Sequence, residues 1–139
     1  MLLGLFSSAF EWLRIDREYM ADQEIRQFIE DIQSKFPDVI PLMDKHEECE
    51  FAFRMEEFAN LTTFAFNDHK NADALKYLSY MNLKLETASP AEFEYIDTYY
   101  VEHLFWKATP IGIEMGWPLV PGKLKKLYLN FHGQAPQIR

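Results

Sequence analysis

Apolar residues recur at helical spacing along nearly the whole chain, and no segment of useful length alternates as a strand would. The pattern predicts a first amphipathic helix within residues 1–15 and a second helix over 21–36. Pro37 ends the second helix, because proline disfavours helical geometry in the residue before it. Residues 38–49 are ambiguous, and a short helical turn around Pro41 is one interpretation.

Residues 50–67 form the most strongly apolar segment, with apolar positions over about 220° of a helical circumference. A helix with so broad an apolar surface is typical of the centre of a bundle. Further helices are predicted over 72–86, 90–108 and 121–132. The segment Ser89–Glu92 has the order of a capping box, with serine as the cap, proline first in the helix and glutamate third.

Prolines and glycines crowd residues 110–122, a composition typical of turns and short broken helix. Residues 134–139 read as a frayed tail. The sequence therefore predicts an all-α fold, a compact bundle of about five or six helices. Its length of 139 residues fits a single helical domain over 1–139.

The chain is acidic, with a formal net charge of −8. Residues 1–70 carry 15 acidic and 7 basic residues, whereas residues 71–139 carry 7 of each. Such acidity disfavours nucleic acid and anionic membranes as partners. Acidic residues are densest over 44–57, where two interpretations are open: a solvated surface, or a surface that attracts a basic partner. The partner-binding residues predicted on the second interpretation are Glu47, Glu48 and Glu50.

Aromatic residues make up 16% of the chain, which predicts a thick aromatic core, an exposed aromatic patch, or both. The one cysteine, Cys49, excludes an intramolecular disulfide and is simplest to accommodate in a reducing compartment. No apolar stretch approaches the ~18 residues of a membrane span. The apolar N-terminus lacks the basic start of a signal peptide. We therefore expect a cytoplasmic protein with no membrane partner.

The residues of common catalytic and metal sites are not found at the required spacings. None of the four histidines has a glutamate three positions before it, as a di-iron helix requires. His46 and Cys49 could supply two zinc ligands, but no second cysteine completes the set. No nucleophile elbow and no Gly-rich phosphate loop is present. The sequence predicts no catalytic, metal or cofactor-binding residues, and hence a protein that is not an enzyme.

Two polar residues interrupt apolar helical stripes: Asn82 in the helix over 72–86 and Asp97 in the helix over 90–108. One interpretation is that both are buried hydrogen-bonding groups with structural roles. The other is a small pocket in which they orient a bound ligand.

The segment Trp117–Pro121 places apolar residues in a proline-bounded loop, where they cannot all enter a helical core. Exposed tryptophan is enriched at protein interfaces, so Trp117 and Leu119 are predicted partner-binding residues. Alternatively, the loop lies against the bundle and seals one end of it.

The C-terminal part of the chain carries a pattern of apolar and aromatic positions. Its segments are Tyr99–Phe105, Trp117, Leu119–Pro121, Leu124–Tyr128 and Phe131–Gly133. This pattern, over about the last 85 residues, resembles a bacterial all-helical family of unknown function. The resemblance implies a bacterial, helical protein and lends it no established activity.

A non-enzymatic protein-interaction module is favoured by the small size, the clustered acidity and the abundant aromatic residues of the chain, and by the lack of catalytic, metal-binding and cofactor-binding motifs. Its most concrete form is a cytosolic inhibitor or immunity-type protein that binds a basic protein partner. The alternative function is a helical small-ligand-binding or accessory domain with a pocket near Asn82 and Asp97.

Overall fold

A computed structural model describes the backbone of residues 2–138 and the side chains of residues 11–138. Its first helix, α1, runs without a break from Leu2 to Lys35. The prediction of separate helices over 1–15 and 21–36 is therefore wrong. Residues 16–20 contain neither proline nor glycine, so no residue there interrupts a continuous helix.

The two halves of α1 have different surroundings. Residues 11–20 are all exposed, and Trp12 keeps 72% of its surface accessible. The apolar stripe predicted before them, on residues 2–10, lies outside the described side chains. The second half packs on the bundle through Ile25, Phe28, Ile29 and Ile32. Neither α1 nor any other described helix is long and apolar enough to cross a bilayer.

The remaining elements follow in short succession. They are a 3₁₀-helix (Pro37–Val39), α2 (Ile40–Met43), α3 (Phe51–Asn67), α4 (Asn71–Lys84), α5 (Pro90–Glu94), a π-helix (Tyr95–Val101), α6 (Pro110–Gly116), a second 3₁₀-helix (Trp117–Leu119) and α7 (Gly122–His132). The described residues thus contain seven α-helices and no strand, which confirms the all-α class.

The count of five or six helices is slightly wrong, because α2 and α6 form where the sequence predicted ambiguity or turns. Each begins near a proline, which is favourable in the first turn of a helix. The Thr109 side chain also caps α6, since its Oγ1 accepts from the Gly112 N–H at 3.0 Å. Residues 134–138 lie outside the helices, and Arg139 lies outside the described residues.

Helix α3 is the centre of the bundle, as its broad apolar surface predicts. It packs against α1, α2, α4, α6 and the π-helix. Phe58 of α3 is fully buried, and its ring centroid lies 5.6 Å from those of Phe36 and Tyr77 and 5.3 Å from that of Tyr100. Thr62 Oγ1 lies 2.8 Å from the Tyr100 hydroxyl, which satisfies both polar groups in this aromatic core.

The helix predicted over 90–108 begins as expected and then changes form. The capping box is present: the Glu92 N–H donates to Ser89 Oγ at 3.2 Å, and the Ser89 N–H donates to Glu92 Oε1 at 2.9 Å. The α-helix ends at Glu94, however, and the chain continues as a π-helix and then as turns to residue 107. The prediction of one helix over 90–108 is therefore wrong.

A contact with α3 accompanies the turns that follow the π-helix. Phe105 has a positive φ of 64°, which is uncommon for a bulky residue and turns the chain. Its N–H donates to Thr63 Oγ1 of α3 at 3.0 Å, and its buried ring stacks 6.0 Å from Phe66. A β-carbon on Gly116 would lie 2.6 Å from the Phe66 ring, so glycine lets α6 approach the same place.

Candidate functional site

Three of the four histidines lie along one face of the bundle, which we call the histidine–aromatic face. Each has an aromatic neighbour that is about half exposed. The ring centroids are 5.5 Å apart for His46 and Phe53, 6.0 Å for His103 and Trp106, and 4.8 Å for His132 and Phe131. The other residues of the face are Glu56, Glu57, Asn60, Thr98, Tyr99, Glu102 and Lys107.

One hydrogen-bonded chain on this face joins the loop after α2 to α3. His46 Nε2 donates to Glu57 Oε2 at 2.8 Å, and Asn60 Nδ2 donates to Glu57 Oε1 at 2.7 Å. Glu57 and Asn60 meet because residues three apart share one side of a helix. Burial opposes ionisation of Glu57, but the hydrogen bonds from Asn60 and His46 and the charge of Lys107 together lower its pKa.

A second pair joins α3 to the turn after the π-helix. His103 Nδ1 lies 3.3 Å from Glu56 Oε2. Burial and the neighbouring Glu57 charge raise the pKa of Glu56. Burial and the charge of Lys107 lower the pKa of His103, which favours the neutral imidazole. The Glu56 carboxylate therefore lacks full compensation by a positive charge.

The pKa values of the neighbouring Glu56 and Glu57 carboxylates are shifted in opposite directions, which one variant of each residue can test. Glu57→Gln should lower the free energy of unfolding at pH 7 by about 1 kcal/mol, because it removes the ionised acceptor of two hydrogen bonds. Since the pKa of Glu57 is lowered by folding, its contribution is present above the unfolded-state pKa. It is lost as the pH falls through the folded-state pKa, so urea unfolding should show the difference between wild type and variant shrinking as the pH falls below the ordinary glutamate value of 4.5.

Glu56→Gln is the matched control, and its effect on the free energy of unfolding should be opposite in sign to that of Glu57→Gln. Its pKa is raised by folding, so ionisation at pH 7 costs stability and the neutral amide should not lower the free energy of unfolding. An equal loss of stability in both variants would contradict the assignment of Glu57 as the stabilised carboxylate.

A cleft of about 580 Å³ opens on the histidine–aromatic face. The exposed rings of Trp106 and Phe131 border it, with 49% and 57% of their surfaces accessible. Glu102 also lines it, and burial together with the nearby Asp97 charge raises the pKa of Glu102. No Lys or Arg is among its described lining residues, which are Glu56, Thr98, Tyr99, Glu102, His103, Trp106, Phe131 and His132.

The π-helix and α7 form the wall of this cleft. Thr98 and Tyr99 belong to the π-helix, and Glu102 follows it directly. The Glu102 N–H donates to the Asp97 carbonyl at 3.3 Å, the i to i−5 pattern of a π-helix. His132 Nε2 donates to the Glu102 carbonyl at 3.0 Å and so holds α7 against this wall. An element that the sequence did not predict therefore shapes the cleft.

A smaller cavity of about 190 Å³ lies beside the cleft and shares Glu56, His103 and Trp106 with it. We call it the inner cavity. Its other lining residues are His46, Phe53, Glu57, Asn60 and Lys107. Among the described residues, no group of three or more His, Cys, Asp or Glu is placed to hold a metal ion. The polar groups of the cleft are carboxylates, imidazoles and hydroxyls, and the inner cavity also has the Lys107 ammonium group and the Asn60 amide.

The acidic residues predicted to bind a partner lie in the loop between α2 and α3. Glu47 and Glu48 are exposed, and Glu48 makes an ion pair with Arg26 of α1. Glu50 is half-buried and accepts a hydrogen bond from the Glu47 N–H at 2.8 Å. Two of the three side chains thus have partners within the chain. None of the three lines the cleft or the inner cavity.

Trp117 lies in the second 3₁₀-helix and packs on α7. Its ring centroid is 5.2 Å from that of Tyr128 and 6.2 Å from that of Phe105, and Lys125 Nζ lies 4.7 Å from the centre of the ring. These contacts favour the interpretation that the loop seals one end of the bundle. Leu119 is 37% exposed beside it.

Trp117→Ala should therefore lower the melting temperature by several degrees, because it removes packing on Tyr128 and Phe105. Leu119→Ala is the matched control two residues away and should change the melting temperature by no more than about 2 °C. Thermal unfolding followed by circular dichroism measures both. A melting temperature unchanged by Trp117→Ala would contradict the sealing role.

The two residues of the predicted pocket lie away from the lining of the cleft and of the inner cavity. Asn82 is half-buried on α4, and its Oδ1 has no hydrogen-bond partner among the described residues. Asp97 is half-buried in the π-helix, where burial raises its pKa. Neither residue lines the cleft or the inner cavity, although Asp97 is close enough to Glu102 to affect its pKa.

Comparison with known families gives one assignment. Residues 29–133 match the model of a domain of unknown function, DUF7674. The chain belongs to this family, which bears out the resemblance to an uncharacterised family. The matched region begins within the buried half of α1 and includes the whole histidine–aromatic face. Neither a curated protein nor a solved structure matches the chain.

Proposed function

We propose that this protein is a non-enzymatic interaction module that binds a basic protein segment in the cleft of the histidine–aromatic face. The observation that carries the proposal is the combination of exposed Trp106 and Phe131 rings with the Glu56 and Glu102 carboxylates in one open cleft. Aromatic side chains around a desolvated centre supply most of the binding energy in many interfaces.

The electrostatic state of the cleft supports a basic partner. The pKa values of Glu56 and Glu102 are both raised, mainly by burial and also by the neighbouring negative charges of Glu57 and Asp97. Near neutral pH, a cation placed between such carboxylates relieves their repulsion and their loss of solvation. The exposed rings offer the same cation a π-face. Lysine and arginine side chains meet both conditions.

The exposed acidic loop containing Glu47 and Glu48 has a supporting role in this proposal. It lies directly before α3, whose first half also carries Glu56 and Glu57. Exposed charges act over about 8 Å at physiological ionic strength. The loop charges would therefore speed the approach of a basic segment to the cleft without contacting that segment. A cytosolic inhibitor or immunity-type role is the most concrete form of such a module.

The experiment is a titration of the isotope-labelled protein with a synthetic arginine- and lysine-rich peptide, followed by NMR. We expect saturable shifts of the Trp106, Phe131 and His103 signals. A peptide of the same length with glutamine in place of the basic residues is the control and should cause no saturable shift. Shifts of equal size with both peptides, or shifts confined to other faces of the bundle, would contradict the proposal.

A ligand pocket near Asn82 and Asp97 is the second candidate function. It is favoured by the unpaired Oδ1 of Asn82 and by the raised pKa of Asp97, which desolvation causes. A ligand bound there would contact α4 and the π-helix. Screening of small metabolites by NMR should then shift the Asn82 side-chain amide and leave the Phe131 signals unchanged.

A further inference from the structure

The first half of α1 carries an apolar stripe that the bundle does not cover. Residues 11–20 are all exposed, and five large apolar side chains among them each keep more than half of their surface accessible. These five, which we call the α1 stripe, are Trp12, Leu13, Ile15, Tyr19 and Met20. A helix in water obtains most of its stability from the packing of its apolar face, so a partner on the α1 stripe would stabilise this half of α1.

The α1 stripe lies on the opposite side of the helix from the bundle. The buried residues of the second half of α1 are Ile25, Phe28, Ile29 and Ile32. At about 100° per residue, their centre is roughly 170° around the helix from the centre of the α1 stripe. The helix would have to rotate by about half a turn for the chain's own bundle to cover the stripe. A second molecule can dock there while the two bundles point away from each other.

We propose that the α1 stripe is the interface of a homodimer, in which the first half of α1 packs antiparallel against the same segment of a second copy. The charges of the segment favour this occupant. Residues 11–20 hold three acidic and two basic residues, a net charge of −1 out of the −8 of the whole chain. Two acidic chains therefore repel each other less at this segment than elsewhere. The dimer goes beyond the proposed function and does not depend on it.

Charge complementarity selects the antiparallel direction. A two-fold axis between residues 16 and 17 places Asp16 of each copy level with Arg17 of the other, so the dimer contains this pair twice. Arg17 lies at the edge of the stripe, where its Nε donates to the Leu13 carbonyl at 3.4 Å. In a parallel pair each residue would meet its own copy. Asp16, which lies within the stripe, would then face a like charge.

The same two-fold axis brings the apolar residues of the two copies together. Leu13 lies level with Met20 of the second copy. Trp12 and Tyr19 of the second copy lie on the other flank of the stripe, about two residues or 3 Å apart along the helix axis. Each of these contacts also occurs twice. The α1 stripe is therefore complementary to itself in one register.

The area of the α1 stripe predicts a dimer of moderate affinity. A large aromatic side chain buries about 150–250 Å² when it is fully covered, so the five side chains offer on the order of 500 Å² per copy. The pair then buries about 1,000 Å², which is the lower limit for a specific interface. We therefore expect a reversible dimer with a dissociation constant on the order of 10 μM.

Sedimentation velocity of the full chain, over a concentration series that spans this value, should show a monomer–dimer equilibrium. Asp16→Arg and Arg17→Asp should each weaken the dimer at least about tenfold, because each places like charges opposite one another twice. A mixture of these two variants should recover the wild-type affinity, since every opposed pair is again of opposite sign. Arg14→Asp makes the same change on the bundle side of α1 and should leave the dimer unchanged.

Trp12→Ala tests the apolar part of the interface and should weaken the dimer at least about tenfold. Trp106→Ala removes an exposed ring of the cleft instead and should leave the dimer unchanged. The proposed function predicts the reverse for peptide binding, which should depend on Trp106 and not on Trp12. The dimer and the peptide site can therefore fail independently.

Three results would overturn the dimer. The first is a monomer at every concentration, and the second is equal weakening by Arg14→Asp and Arg17→Asp. The third is cosedimentation of a monomeric protein with phosphatidylcholine vesicles, which would assign the α1 stripe to a lipid surface.

Discussion

Phe58→Ala should lower the free energy of unfolding by about 3–5 kcal/mol, the range measured for large-to-small changes of buried aromatic residues. Phe58 is fully buried in the central helix, and its ring contacts those of Phe36, Tyr77 and Tyr100. Removing it leaves a cavity that rigid aromatic neighbours cannot fill. Urea unfolding followed by circular dichroism measures the loss.

Phe53→Ala is the matched control on the same helix. Phe53 is 50% exposed on the histidine–aromatic face, so its removal should cost less than about 1 kcal/mol. The comparison separates a phenylalanine of the core from one of the candidate site. Equal losses for the two variants would contradict the placement of Phe58 at the centre of the bundle.

The double variant Trp106→Ala, Phe131→Ala should reduce the affinity for a basic peptide by about thirtyfold or more. This corresponds to the loss of about 2 kcal/mol that defines an interface hot spot. Trp106 and Phe131 are 49% and 57% exposed, so about half of the surface of each can contact a partner. Isothermal titration calorimetry measures the change.

Trp12→Ala provides the control for this second prediction. Trp12 is 72% exposed on the first half of α1, outside the matched family domain. Its removal should leave the affinity unchanged if the cleft alone holds the peptide. An equal loss of affinity in Trp12→Ala would indicate that exposed aromatic residues bind the peptide irrespective of their position.

The helices were predictable where local signals determine them. The apolar surface of residues 50–67 predicted the central α3, and the residues of the capping box predicted the start of α5 at Pro90. Gly133 ends α7 with a φ of 73°, as a glycine at this position commonly does. These features depend on residues within a single helix or at its ends, so the sequence pattern contains them.

The turns that follow the π-helix were not predictable in the same way. They contain the hydrogen bond from Phe105 to Thr63 and the ring packing between Phe105 and Phe66, contacts between residues about 40 positions apart. Residues 90–108 carry a continuous helical pattern and no proline after Pro90. Tertiary contacts therefore override a local helical preference here.

The candidate site was missed because its pairs span different elements. Spacing along one helix reveals histidines and glutamates on a single helix face, whereas Glu56 meets His103 and Glu57 meets His46 across different elements. A usable signal was present in Glu56-Glu57, two adjacent acidic residues within the most apolar helix of the chain. Charged residues in such a helix are paired or functional when they are buried.

The measurement that tests the central claim most directly is the salt dependence of peptide binding to the wild-type protein and to the double variant Glu56→Gln, Glu102→Gln. Glu11→Gln, which changes an exposed residue on the first half of α1 outside the matched family domain, is the control. We predict that the wild-type affinity falls as salt is raised, and that the double variant binds at least about tenfold more weakly at low salt, with a shallower salt dependence. Equal affinities and equal salt dependence in the wild type and the double variant would contradict the acidic cleft as the binding site.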